Sequence, residues 1–569
     1  MGSVAPFLIF FAAAAIVAVT SGRLRSMVLL ATPIVGAANL YLMPADMSVQ
    51  VPLLDFTLEL VRLDRLSLLF GYLFHLAAFL GIVYALHVRD RTEQVAAIIY
   101  AGSALGAVFA GDLITLFLFW ESLALSSTFL ILARRTQRSY RAAMRYLAIQ
   151  VLSGVILLVG VLMYAKATGS IAFEFIGLQP LDGGLAGPAS WLILLAFGIK
   201  CAFPFLHNWL TDAYPEATPT GTVFLSAFTT KVAVYALARA FPGTELLVYV
   251  GAAMTMFPIF FAVIENDLRR VLSYSLINQI GFMVAGIGIG TALAVNGAIS
   301  HAFNDVVFKG LLFMSMGAVL HRTGKINGSD LGGLYKSMPV TTTFCIVGAA
   351  SISAFPLFSG FVSKSMVMAA ALEEGHPVVW LALLFASAGV FHHAGIKIPY
   401  FAFFAHDSGL KPKEAPPNML LAMGLAAAIS IFNGAYPWVL YEMLPYPVEY
   451  APYTSAHVLT QIQLLFFSAL AFVWLQLTGL YPPELPGINI DAEWSYRKAL
   501  PVAARRITGL AAGVRDVVLR WGRSGLLGIF ELILRHSGPE GAMARTRPSG
   551  YMALWMTVLL SVFLLLSFL

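Results

Sequence analysis

Five lysines lie in surroundings that suit lysine badly. Lys200, Lys231, Lys309, Lys364 and Lys397 each fall inside a long apolar run, and no arginine does. A charge at mid-bilayer depth costs about 2.5–3.5 kcal/mol on insertion scales, and such residues usually face a bundle interior or a water-filled path. A buried lysine amine can shed its proton, whereas a guanidinium cannot. A row of lysines can therefore pass protons along; a row of arginines would be a fixed field. The competing reading is a side chain that snorkels to the interface or anchors an ion pair. For Lys397, near the end of its run, both readings stand.

The intramembrane acids are as selective. Glu121 sits mid-run in Phe119-Trp120-Glu121-Ser122. His301, Asp305 and Lys309 follow one another at i, i+4 and i+8, which puts them on one helix face over about 12 Å of rise. A histidine in such a ladder can take and release protons. The structural alternative is a satisfied polar network that ties neighbouring helices together.

The elements that carry these residues follow from composition. Of 569 residues, 59% are apolar and 11% charged, with mean hydropathy +0.82, where soluble chains run near 25% charged. A bilayer core about 30 Å thick needs roughly 20 apolar residues per helix. About sixteen runs of that length follow, starting near Ala5, Met27, Leu66, Glu93, Asp112, Ala142, Ser190, Gly221, Glu245, Val271, Ala294, Thr341, Pro377, Pro417, Leu459 and Gly550. Only 481–549 could hold anything soluble. The first run has no basic residue before it and Arg23 and Arg25 after it, the reverse of a signal peptide and right for a first helix whose N-terminus is outside.

Of the 35 Lys and Arg, sixteen fall in loops after odd-numbered runs, four after even-numbered ones, ten in the tail and five inside runs. The positive-inside rule then puts both termini outside, in a bacterial inner membrane. Cys201 and Cys345 lie in apolar runs without CxxC spacing, so neither a disulfide nor a metal site is expected. Gly286–Gly290 lacks the third glycine of a dinucleotide fingerprint. No cofactor and no nucleic-acid partner is expected.

Runs 7 and 12 both carry Ala-Phe-Pro, at Ala202-Phe203-Pro204 and Ala354-Phe355-Pro356, each near a lysine. Proline removes a backbone hydrogen bond and breaks or kinks its helix. Two such helices five apart run in opposite directions, the pattern of an inverted repeat with ion sites at discontinuous helices. The expected fold is an all-α polytopic membrane protein of about sixteen helices, with inverted five-helix repeats and broken helices 7 and 12. Residues 1–92 would hold helices 1–3, 93–241 and 242–406 the two repeats, 407–480 helices 14–15, 481–549 a basic amphipathic lateral segment and 550–569 a terminal helix.

Phe117-Leu118-Phe119-Trp120-Glu121, the run from Lys200 through Tyr214, and Ala217-Thr218-Pro219-Thr220 through Thr230-Lys231-Val232-Ala233-Val234-Tyr235-Ala236 closely resemble one family. These are the antiporter-like subunits of respiratory complex I, membrane-bound hydrogenases and multisubunit Na+/H+ (Mrp) antiporters. His301-Ala302-Phe303-Asn304-Asp305 and Lys309-Gly310 look most like the D subunit of the Mrp type. The resemblance implies that Glu121 pairs with Lys200, that Lys231 is the central lysine and that Lys364 is the lysine of helix 12. Protons would pass along Lys200, Lys231, His301 or Lys309 and leave by Lys364. Thr211 departs from the family's proline, and Phe355-Pro356-Leu357-Phe358-Ser359-Gly360 from its Pro-Pro-Leu-Ser-Gly run.

Implied is a proton-conducting subunit of a multisubunit cation/proton antiporter, partnered by other membrane subunits, with Na+ or K+ as the exchanged cation. It would not be an enzyme by itself. Two alternatives stand beside this: the pumping arm of a complex I-like or hydrogenase-type redox complex, and a scaffold whose own path is closed. The basic tail from Trp494 to His536 interleaves Arg and Lys with apolar residues, as an interfacial helix would. It resembles the lateral helix of the largest complex I antiporter-like subunit; the equal alternative is a small membrane-associated cytosolic appendage.

Overall fold

A backbone surrounded by lipid can bond only to itself, so apolar runs of this length become helices. The computed structural model describes residues 4–44, 47–53, 56–182, 184–487 and 489–568. Thirteen of its helices are long and apolar enough to cross a membrane, and three shorter apolar helices join them: Pro6–Val19, Ala186–Lys200 and Pro339–Ile352. Together they stand where the sixteen runs were expected. The chain is a multi-pass membrane protein. An antiparallel hairpin of Ser48–Leu53 and Phe56–Arg62 links the second and third helices.

The chain forms two units, Met1–Asn489 and Ile490–Leu569. The second holds a 38-residue helix, Leu500–Ser537, and the apolar helix Ser549–Ser567. In the first, ion pairs join loops that the basic-residue count had assigned to one side. Arg135–Asp90, Arg138–Glu216 and Arg145–Asp212 lie among loops after odd-numbered helices. Arg62–Glu174 and Arg239–Asp64 join loops after even-numbered ones.

The two expected repeats carry the same backbone. Helices Gln137–Thr168 and Ala292–Thr323 are both 32 residues long, and both end on a left-handed glycine, Gly169 or Gly324. At each end a threonine hydroxyl caps its own last turn, Thr168 to the Tyr164 carbonyl and Thr323 to the Val319 carbonyl. Asp112 and Asp267 cap the preceding helices, Leu113–Leu132 and Leu268–Ile289, each by accepting from two amides. Each of these aspartates also bridges the loop beyond the 32-residue helix, Asp112 at Ala172 and Asp267 at Asn327.

The breaks repeat too. After Lys200 the amides of Ala202, Phe203 and Leu206 bond to the carbonyls of Ile199, Gly198 and Phe203. After Ile352 the amides of Ala354, Phe355 and Phe358 bond to Ser351, Ala350 and Phe355 in the same pattern. Ala202, Phe205, Ala354 and Leu357 adopt φ of 61°, 66°, 59° and 73°, a region that non-glycine residues rarely occupy. This register sets Lys200 opposite Ile352 and Lys364 opposite Asp212, so the two lysines are not equivalent. One ends the helix before its break and the other follows its break by two turns of chain.

Leu357 offers a test, because it is 59% exposed and its side chain is dispensable for packing. A left-handed backbone disfavours β-branched residues most and glycine least. Leu357→Val is expected to lower the melting temperature in detergent and Leu357→Gly to leave it equal or higher. The reverse order would show that the break is not left-handed at this position.

Candidate functional site

An ammonium group withdrawn from water needs oxygen atoms around it. Helix Gly221–Ala227 gives way at Phe228 to Thr229–Ala240, and this interruption places Lys231 on the inner face. Its Nζ lies 3.2 Å from the Ser226 carbonyl and 2.6 Å from Asp305 Oδ2. Both side chains of that ion pair are 0% exposed. The contact is ionic by distance, and neither Asp305 oxygen accepts a hydrogen bond of ordinary geometry. On the repeat bounds expected from the sequence, Lys231 falls in the first repeat and Asp305 in the second, so the pair would cross the seam between them.

His301 and Lys309 flank Asp305 on helix Ala292–Thr323, all three wholly buried. The expected ladder fans out toward different neighbours. His301 Nδ1 meets Ser363 Oγ at 3.0 Å and Lys309 Nζ donates to Ser275 Oγ at 2.8 Å. Lys364 lies within electrostatic reach of His301 and Asp305. Its Nζ donates to the Ile352 carbonyl at 2.6 Å, the end of the helix before the break, and lies over the Phe282 ring. Lys231, His301, Asp305, Lys309 and Lys364 therefore form one cluster.

Glu121 and Lys200 stand as a second pair, electrostatic neighbours of each other. Here the expected pairing is not closed among the described residues. Lys200 Nζ donates to the Trp120 carbonyl at 2.5 Å and lies 4.4 Å from the Trp120 ring centroid. Glu121 Oε1 is buried without a hydrogen-bond partner. Its carboxylate occupies space that Gly154 leaves open, and a β-carbon at 154 would collide with it. Backbone oxygen and an aromatic face satisfy the amine in place of the carboxylate.

A third group is built around Lys397, with partners that the sequence did not point to. That residue sits between two wider π-type stretches, Phe391–Ile396 and Tyr400–Phe404. Its Nζ donates to the carbonyls of Val263 and Glu265 at 2.7 and 2.6 Å and pairs with Glu484 at 2.8 Å. Lys397 thus anchors an ion pair, the plainer of its two readings. Burial raises the Glu484 carboxyl above its ordinary range against the pull of Lys397. Beside it His392 stacks on Tyr481, and His393 is wholly buried with neither ring nitrogen bonded to protein. The adjacent histidines inside an apolar run were the available signal; Glu484 was hidden because it lies in the segment assigned to the tail. Among the described residues, no group of His, Cys, Asp and Glu could hold a metal ion.

Residues 110–389 match the family described as "NADH:quinone oxidoreductase/Mrp antiporter, TM". The chain is 32% identical over 429 residues to the A subunit of the Na(+)/H(+) antiporter of Alkalihalophilus pseudofirmus, a match covering 67% of this chain and 53% of that protein. It is 25% identical over 501 residues to hydrogenase-4 component B of Escherichia coli, covering 80% and 74%. It thus spans about half the length of the antiporter relative. The solved Mrp complex from a Dietzia species contains a chain with the same fold, at TM-score 0.77 and 24% identity, covering 92% of this chain and 62% of that one. The antiporter relative is an A subunit, whereas the sequence of His301–Gly310 resembles the D subunit.

Removing one partner of a buried ion pair costs about 3–5 kcal/mol, while replacing both with apolar groups is close to neutral. Lys231→Met and Asp305→Leu are each expected to lower the detergent melting temperature, and the double substitution to recover most of the loss. Strictly additive losses would show that the two residues do not act as a pair.

Proposed function

We propose, for a chain whose residues 110–389 belong to the NADH:quinone oxidoreductase/Mrp antiporter family, that it is a proton-conducting subunit of a multisubunit cation/proton antiporter. The observation that carries this reading is the Lys231–Asp305 contact of 2.6 Å, wholly buried and joining the two inverted halves. A charge pair so placed stabilises an ammonium that water cannot reach, and it releases a proton when the two groups part. Around it His301, Lys309 and Lys364 offer further sites within electrostatic reach. The unbonded His301 Nε2, Thr230 Oγ1 and Gln279 Oε1 are atoms that water would bridge.

In this reading Glu121 and Lys200 load the path from one side. Lys231 and Asp305 hold the proton at the centre, His301 and Lys309 pass it on, and Lys364 delivers it to the other side. The chain makes and breaks no covalent bond of a substrate. Both termini face outward across a bacterial inner membrane, with the arginine-rich loops inside. Its partners are other membrane subunits, and Na+ or K+ is the cation exchanged. A second reading is the pumping arm of a redox complex, which the match to hydrogenase-4 component B over 74% of that protein's length favours.

Everted vesicles carrying the assembled complex, loaded with a pH-sensitive dye, test the relay. Lys231→Ala and Lys231→Arg are both expected to cut proton movement at least tenfold, with assembly unchanged on native gels, because arginine keeps the charge but cannot give up the proton. Full transport by Lys231→Arg would refute the relay. Co-purified subunits that carry flavin or iron–sulfur clusters would move the assignment to the redox complex.

A further inference from the structure

At one end of the first unit a cavity of about 940 Å³ lies between the start of helix Gly22–Tyr41 and the loop leading into helix Arg91–Phe109. Arg23, Arg25 and Arg89 line it, and no acidic residue does. Among the described residues none of these three arginines forms an ion pair. The acids nearest in sequence are engaged elsewhere. Asp90 takes Arg135 at 2.6 Å and the Thr92 amide at 2.9 Å, and Glu93 takes the Thr218 hydroxyl at 2.6 Å.

Arg25 is only 9% exposed, and its guanidinium is bonded to neutral oxygens alone. It donates twice to the Thr20 carbonyl, at 2.6 and 2.9 Å, and to Gln94 Oε1 at 3.2 Å. Gln94 in turn donates to the Val88 carbonyl at 2.8 Å, which ties the loop to the helix start and fixes the arginine's position. A buried positive charge without a counter-charge is unfavourable until an anion joins it. His87 also lines the cavity, but burial and the neighbouring His321 hold its ring below the usual histidine range. The charge offered near neutral pH is therefore that of three arginines.

The rest of the wall sets the apolar Met27, Leu30, Leu86 and Val88 beside the polar Ser21, Ser26 and Gln94. Met27 and Leu30 continue the cavity along helix Gly22–Tyr41, where Met27 is 66% and Leu24 57% exposed. A free inorganic anion would have no use for that surface. We propose that the cavity binds an anionic phospholipid, its phosphate held by Arg23, Arg25 and Arg89 and its acyl chains lying along Met27 and Leu30. Basic pockets between membrane helices recognise headgroups in this way.

The test uses the full chain, purified in mild detergent with whatever subunits accompany it, and titrated with phosphatidylglycerol, phosphatidylcholine and inorganic phosphate. Arg23 and Arg89 are exposed and unpaired, so Arg23→Ala/Arg89→Ala is expected to fold normally, which circular dichroism checks. Loss of two cations' attraction should weaken phosphatidylglycerol binding about thirtyfold. The control Lys411→Ala/Lys413→Ala should bind as the unmodified chain does, and phosphatidylcholine should bind neither. An equal loss in the control would mean diffuse surface charge. Inorganic phosphate binding as tightly as phosphatidylglycerol would mean a free-anion site. Either result, or no binding of phosphatidylglycerol at all, overturns the proposal.

Discussion

A charged amine cannot be left bare inside an apolar bundle, and in this chain interrupted helices supply much of the oxygen it needs. Lys364 donates to Ile352, the last residue before its break. Lys231 reaches Ser226, where a short helix gives out, and Lys397 reaches Val263 and Glu265 at the end of helix Glu245–Ile264. Carbonyls at a helix C-terminus lack intrahelical partners and carry the negative end of the helix dipole. The breaks and the lysines are therefore one device. At Lys231 and Lys364 a helix end supplies a carbonyl that a continuous helix would have kept for its own ladder, whereas Lys200 takes the Trp120 carbonyl inside helix Leu113–Leu132.

The same dependence explains why the two halves share a backbone but not a set of side chains. The register that aligns Gln137–Thr168 with Ala292–Thr323 places Gly154 opposite Lys309, and its continuation into the preceding helices places Glu121 opposite Leu276. In the first half the Glu121 carboxylate fills the space beside Gly154. In the second half the corresponding position is the lysine itself, bonded to Ser275. Acid and base thus enter the core from different helices. His301, likewise, aligns with Tyr146, which contacts Ser127 at 2.8 Å and carries no charge near neutral pH.

Much of this was legible in the sequence, because a lipid-spanning helix must be long and apolar and an intramembrane charge is rare. The thirteen long apolar helices and the three shorter ones, the two breaks and the seven candidate residues Glu121, Lys200, Lys231, His301, Asp305, Lys309 and Lys364 could be picked out on those grounds. Pairing could not. Periodicity put His301, Asp305 and Lys309 on one face, but not which helix each would meet, and the partner of Asp305 proved to be Lys231, 74 residues earlier in the chain. Glu484 escaped for a related reason: a carboxylate in a Pro-rich loop looks solvated until the fold brings Lys397 beside it. The matched Ala-Phe-Pro tripeptides mark breaks of the same backbone pattern, while the lysines near them stand at different positions, since side-chain chemistry can differ where backbone geometry is shared.

Two copies of one scaffold, facing opposite ways, see the two sides of a membrane alike. Such a frame has no intrinsic sense of forward. Under the relay proposed above, rectification would draw on positions where the copies disagree, among them Glu121 against Leu276, Gly154 against Lys309, Tyr146 against His301 and Lys364 against Asp212. Under the proposed relay, a near-symmetric backbone would leave directionality to the side chains in which the two halves differ.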